Sequence, residues 1–235
     1  MKLFTQVLCL FSVLFITSCD AFAMEQWRYR ITVEVETPEG LKSGSAVWEV
    51  NLSPVKINNV NGYKDTYRGE AIAVDLGERG YLFALRRGSY GRSYKTQIVL
   101  WSFPHDEIDD VIKVRHYSEL ETDVISLSPD HYPLFVYLED INDPKTTRAI
   151  YDPHNEISRK SRDIKVKNIE EVFGEGVRVK DVKIQMTRDP VGFGIHNVLP
   201  WLTMDGDAPL REKPNISTSQ RLRYLDFQEG NVKDE

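Results

Sequence analysis

The side chains able to do chemistry are few and scattered. Histidines stand at His105, His116, His131, His154 and His196, and none forms the two-imidazole helical spacing that grips a metal ion. His105-Asp106-Glu107 and Asp130-His131 set carboxylates beside imidazoles, but neighbours on an extended chain point to opposite faces. No serine sits in a nucleophile elbow, and no phosphate-cradling glycine loop follows a predicted strand. Acid–base groups can still be gathered by the fold, since such sets assemble in space and not in sequence order. The reading leans away from an enzyme, with no catalytic residue, cofactor site or metal site assigned.

Both cysteines, Cys9 and Cys19, lie within the first twenty residues. A body built from the later residues therefore holds no disulfide, no zinc–thiolate site and no cysteine nucleophile. The composition of the whole 235-residue chain, 41% hydrophobic and 28% charged, is that of a globular chain long enough for one sizeable core. A net charge of −6 argues against a nucleic-acid partner, whose phosphates call for a basic face.

Met1-Lys2 followed by the apolar run Leu3 to Ile16 has the length of a secretory signal and is too short to span a bilayer. Residues 1–18 are therefore read as a signal peptide. Ile16-Thr17-Ser18-Cys19 resembles a bacterial lipobox, which implies lipidation of Cys19 and a membrane anchor facing the periplasm. Asp20 after it resembles the residue that favours inner-membrane retention in enterobacterial lipoproteins; it reads equally well as a polar residue after a cleavage site. Ala21-Phe22-Ala23 fits ordinary signal cleavage, leaving a soluble periplasmic or secreted product as the alternative. Residues 19–26 form a short tether.

The elements that would position any site are mostly strands. Trp27, Tyr29, Ile31, Val33 and Val35 alternate with Arg28, Arg30, Thr32, Glu34 and Glu36, the period of a half-buried strand. Pro38-Glu39-Gly40 supplies a turn, and Ala46, Trp48, Val50 and Leu52 return, with Trp27 and Trp48 expected in the core. Residues 53–66 read as a loop rich in turn formers. Arg68 to Leu76 and Gly80 to Arg87 form a second hairpin in which neither face is clearly solvent.

Arg86-Arg87-Gly88-Ser89-Tyr90-Gly91-Arg92-Ser93-Tyr94-Lys95 reads as a flexible basic connection, with contact to anionic lipid heads or stacking on single strands as alternatives. Gln97 to Phe103 is assigned to a strand, Asp106 to Tyr117 to a helix then a strand, and Leu134 to Leu138 to a short buried strand. Asp140-Ile141-Asn142-Asp143-Pro144 resembles a calcium-binding cadherin linker; the plain reading is an Asx-rich turn. Residues 155–167 form a basic surface loop. Asn168 caps a helix over Ile169 to Phe173, which Gly174 stops, and a slip near Asp181 predicts a β-bulge in the strand that follows. Val191 to Leu202 is expected to close the core. Residues 203–235 read as a polar tail in which Leu222, Tyr224 and Phe227 could dock.

These patterns define one domain over residues 27–202, a β-rich α+β fold with a mainly antiparallel sheet built from hairpins and one or two short helices. Four segments together resemble a family of uncharacterised exported proteobacterial proteins and lipoproteins: Thr32–Val35 with Thr37–Gly40, Gly69–Leu76, Pro133–Pro144, and Phe173-Gly174 to Leu199-Pro200-Trp201-Leu202. The resemblance departs at the basic segment 155–167. It implies one exported domain and brings no activity, substrate or site. The function expected is a non-catalytic binding or accessory role in the envelope with a protein partner; the alternatives are an exported immunity or inhibitor protein, and a small-ligand binder or hydrolase.

Overall fold

Alternation from Trp27 to Val35 becomes strand β1 (Glu25–Thr37), which buries Trp27, Tyr29, Ile31, Val33 and Val35 on one face. The chain turns at residues 38–39 into β2 (Gly40–Ile57), whose register sets Tyr29 opposite Trp48 and Trp27 opposite Val50. Both tryptophans lie in the core, as the pattern predicts. The computed structural model describes residues 25–57, 60–88, 94–103, 117, 119–151, 167–202 and 227–229.

The expected loop over residues 53–66 is corrected by the structure. Strand β3 (Val60–Glu70) pairs with β2 all the way from Ile57↔Val60 to Glu49↔Arg68, so the segment is the distal half of a long hairpin. Asn61 and Gly62 are turn formers by type, yet they lie inside the ladder opposite Lys56 and Val55, because strand pairing overrides local preference. The second hairpin is accordingly shorter than the stretch from Arg68 suggested. Gly69, at φ +132°, is the next-to-last residue of β3 and lies against Trp48, where a Cβ would meet the indole and the Val47 carbonyl at 3.0 Å. The chain then bends at Ala71 and enters a second sheet through β4 (Ile72–Asp75) and β5 (Tyr81–Ala84).

Strands β6 (Ile125–Ser126), β7 (Phe135–Leu138), β8 (Thr147–Tyr151), β9 (Lys167–Asn168), β10 (Arg178–Met186) and β11 (Gln228–Glu229) complete the two sheets. One runs in the order β11-β3-β2-β1-β10-β6 and the other β4-β5-β7-β8-β9, antiparallel except for β8 against β9. The architecture is β-rich α+β, with helix α1 (Tyr94–Ser102) and the short α2 (Ile169–Phe173) among the described residues. Inner faces of the sheets meet in the main core, where Ile31, Trp48 and Ile184 pack with Ile72, Leu82 and Phe135. Gly44 permits the close approach: a Cβ there would stand 2.3 Å from the Ala73 carbonyl oxygen.

The far side of the second sheet carries a smaller cluster. Ala71, Phe83, Leu85 and Val136 are roofed by Ile195, Leu199 and Leu202 from the irregular segment after β10, and by Phe227. Both faces of the Ala71–Val74 stretch are thus covered, and Phe227 docks as the tail reading anticipated; Leu222 and Tyr224 lie outside the described residues. The bulge falls where the slip predicted it, Glu34 facing Asp181 and Val35 facing Val179, with Lys180 as the extra residue. At α2 the Glu171 carboxylate accepts the Asn168 N–H at 3.2 Å, and the Gly174 N–H closes the last turn on the Glu170 carbonyl.

Two further expectations are overturned. Residues 97–102 are helical and not a strand, because Ile98 and Val99 point into the main core one turn after Tyr94. Arg86 is not part of an exposed basic connection: it is 1% exposed, and Tyr94 and Lys95 are buried as well. The anionic-lipid reading of that stretch loses its first cation. The segments over residues 106–116 and 155–166 lie outside the described residues.

Candidate functional site

Of the residues singled out for chemistry, Cys19, His105, His116 and His154 lie outside the described residues. His131 stacks on Trp101, ring centroids 4.3 Å apart, and its carbonyl accepts the Tyr94 hydroxyl at 2.7 Å. His196 lies on the other side of the second sheet, in the turn Ile195–Asn197 that roofs the smaller cluster. The two histidines thus serve different surfaces. In Asp140–Pro144 the Asp140 Oδ1 accepts the Asn142 N–H at 2.9 Å and Asp143 Oδ1 accepts the Lys145 N–H at 2.9 Å, the Asx turns of the plain reading. Among the described residues no group of three or more His, Cys, Asp or Glu is placed to hold a metal ion.

The structure gathers instead a buried aromatic and cationic cluster where β1, β2 and α1 meet. Tyr29 donates its hydroxyl to the Lys95 carbonyl at 2.5 Å and packs edge-on against Trp48, which meets Tyr94 in the same way. The Lys95 ammonium lies over the Tyr67 ring, 4.1 Å from its centroid, and the Tyr67 hydroxyl bridges Asp65 and the Thr96 hydroxyl. Burial pushes the Tyr29 phenol well above its ordinary range, against the opposing pull of the Arg86 charge, with Tyr67 adding a smaller upward push. Burial also raises Tyr94, with Tyr29 adding to it. Phenols held neutral in this way donate hydrogen bonds and do not act as bases. The cluster's chemistry is that of a polar brace inside an apolar core.

Two carboxylates complete the picture. Glu49, 2% exposed, accepts Arg28 Nε at 2.6 Å and the Asn51 amide at 3.1 Å, with Arg68 Nη1 at 3.7 Å, a cross-strand ladder over β1, β2 and β3. Glu70 ends β3, and its Oε2 accepts both the Gly194 N–H at 2.7 Å and the Ile195 N–H at 2.8 Å. Burial raises its pKa most strongly, while those two N–H groups and the nearby His196 pull it down. Neither carboxylate was singled out by the sequence reading. The signal for Glu49 was present: a two-residue turn after Thr37 sets Arg28 directly opposite it. Glu70 meets residues 124 and 125 positions away, a contact that no local pattern carries.

No known protein family, curated protein or solved structure matches this chain. Among the described residues no helix is long and apolar enough to cross a membrane.

Proposed function

We propose that this chain is an exported bacterial envelope protein, anchored through lipid on Cys19 and serving a non-catalytic binding or accessory role toward another envelope protein. The observation that supports it most is the spacing of the lipobox cysteine from the folded body. Cys19 precedes the first residue of β1, Glu25, by six positions. Six residues span at most about 20 Å, so a lipidated N-terminus holds the sheets against the headgroup region. The β2–β3 hairpin runs past the start of β1, whose Glu25 pairs with Leu52.

The polar groups of the body support a scaffold in the same sense. Glu49, Glu70, Lys95 and the Tyr29 and Tyr94 hydroxyls are engaged with their own chain. A binding module needs a rigid frame of this kind and no reacting group. Labelled palmitate should enter the wild-type chain and not a Cys19→Ser variant, and the variant should leave the membrane fraction. A mature N-terminus at Met24 with no label would replace this reading by the soluble one. Capture from solubilised membranes then tests the partner: enrichment of the same protein with wild type, and loss with Cys19→Ser, is the expected result.

A second reading, a small-ligand site, is favoured by one observation. The half-buried Glu70 lies within electrostatic range of His196, whose Nδ1 is buried with no hydrogen-bond partner. A ligand of that site would shift the His196 imidazole resonances in wild type and not in Glu70→Gln.

A further inference from the structure

The ladder between β6 and β10 is short. Lys183 faces Ser126, Ile184 faces Ile125, and the Leu127 N–H donates to the Val182 carbonyl at 2.7 Å. Continued in step, Ser128 and Pro129 would fall opposite Asp181 and Lys180. Proline has no N–H to donate, and the chain turns instead through Pro129–His131, where the Tyr132 N–H closes on the Pro129 carbonyl at 3.1 Å. The two segments part here, and an open pocket of about 380 Å³ lies between them, lined by Pro129, Tyr132, Arg178, Val179 and Lys180.

The lining has two characters. Val179 and Tyr132 are buried and form an apolar wall with the Pro129 ring; Tyr132 is held edge-on against Phe135, ring centroids 6.3 Å apart. Arg178 and Lys180 are exposed cations at the rim. The charged side chains of β10 are not equivalent: Arg178 Nε donates to Glu36 at 2.7 Å, Asp181 accepts the Ser126 hydroxyl at 2.6 Å, and Lys183 pairs with Glu34. Lys180, the extra residue of the bulge, has no hydrogen-bond or ion-pair partner among the described residues. A bulge re-aims a side chain, and this one brings an uncompensated ammonium to the pocket. Although the chain carries a net charge of −6, the charged lining here is wholly cationic and favours an anion. One unpaired ammonium matches one negative charge, which a carboxylate carries, whereas a phosphate monoester approaches two.

We propose that this pocket binds a small apolar carboxylate, its body against Pro129, Tyr132 and Val179 and its headgroup on the Lys180 ammonium. The volume is at the small end of the range for ligand sites, room for about one ring with a short acid chain. A free organic acid and the C-terminal residue of a peptide both present this chemistry.

NMR titration of the full chain with phenylbutyrate, with its uncharged amide and with acetyl-Gly-Gly-Phe bearing a free carboxylate tests the site. Phenylbutyrate should shift the backbone resonances of Val179, Lys180 and Tyr132. Its amide should bind about tenfold more weakly, the equivalent of one hydrogen bond to a charged group. Lys180→Ala should weaken phenylbutyrate by about the same factor, and Lys180→Arg should restore it. Lys180 is exposed, so these variants keep the fold. Lys183→Ala removes a paired cation of the same strand outside the pocket and should leave the affinity unchanged. Tighter binding of phenylbutyrate than of the peptide would name a free acid, and the reverse a protein C-terminus; either result supports the site. Equal affinity for acid and amide, or for wild type and Lys180→Ala, would overturn it, whether or not Cys19 carries lipid.

Discussion

The second sheet has an apolar cluster on each face, and the two are closed in different ways. On the inner face, strands meet strands: β1, β2 and β10 deliver alternate side chains against β4, β5 and β7, and Trp48, Tyr29, Ile31 and Ile184 are wholly buried. On the outer face the lid is irregular chain, the turn Ile195–Asn197 and the residues up to Leu202, held by Glu70 at one end and by Phe227 at the other. The inner cluster is fixed by ladders that also define the fold. The outer one rests on a few side-chain anchors, and opening it need not unpair a strand. Loss of a large side chain should therefore act globally inside and more locally outside.

The largest effect is expected inside. Trp48 is fully buried, packs against Tyr29 and Tyr94, and donates its indole N–H to the Glu70 carbonyl at 2.7 Å. Trp48→Ala should lower unfolding stability by about 3–5 kcal/mol, read from the denaturant midpoint at unchanged slope. On the outer face Trp201 is half-buried; it donates to the Ile141 carbonyl at 3.0 Å and meets Phe227 edge-on at 5.2 Å. Because part of that ring already faces water, Trp201→Ala should cost only about 1–3 kcal/mol. It should speed amide exchange around Phe227 more than in β1. Equal costs for the two tryptophans would erase the distinction between the faces.

The same contrast explains what the sequence made legible. Alternation from Trp27 to Val35, the turn at Pro38, the slip near Asp181 and the helix from Asn168 to Gly174 are local signals, and each reappears in the fold. They describe the inner cluster and its frame. Residues 53–66 read as a loop because Asn and Gly favour turns locally, while the strand pairing that holds Asn61 and Gly62 opposite Lys56 and Val55 is a property of two chain segments together. Residues 97–102 carry a short apolar run that fits either period, and only packing against the core chooses the helix. Arg86 reads as a surface charge because a charge is ordinarily solvated; its burial within electrostatic reach of Tyr29, 57 positions away in the sequence, carries no local signal. Of the outer lid, the sequence suggested that Val191 to Leu202 would seal something, but not that a carboxylate at the end of β3 would hold it.

That carboxylate offers the finest test, because it and the exposed Glu39 of the β1–β2 turn should answer acid with opposite signs. Glu39, in the β1–β2 turn, is held at about 2, below its ordinary 4.5, chiefly by the paired hydrogen bonds from Arg79, which also reaches the Phe173 carbonyl. A depressed carboxylate contributes stability above its unfolded value, and that contribution fades as pH falls from about 4.5 through about 2. Glu70 is shifted upward from the same 4.5, with burial the largest cause. The folded protein therefore holds the Glu70 proton more tightly than the unfolded chain does, so this group's contribution is greatest below 4.5 and is lost as pH rises through its folded value. Glu70→Gln keeps an oxygen for the Gly194 and Ile195 N–H groups and removes the titration. Measured by urea midpoints from pH 7 down to 4.5, wild type should gain stability relative to Glu70→Gln; from 4.5 toward 2 it should lose stability relative to Glu39→Gln. A wild type that runs parallel to Glu70→Gln over the upper window would mean that the folded protein does not raise this carboxylate, and that water reaches it at the edge of the outer lid.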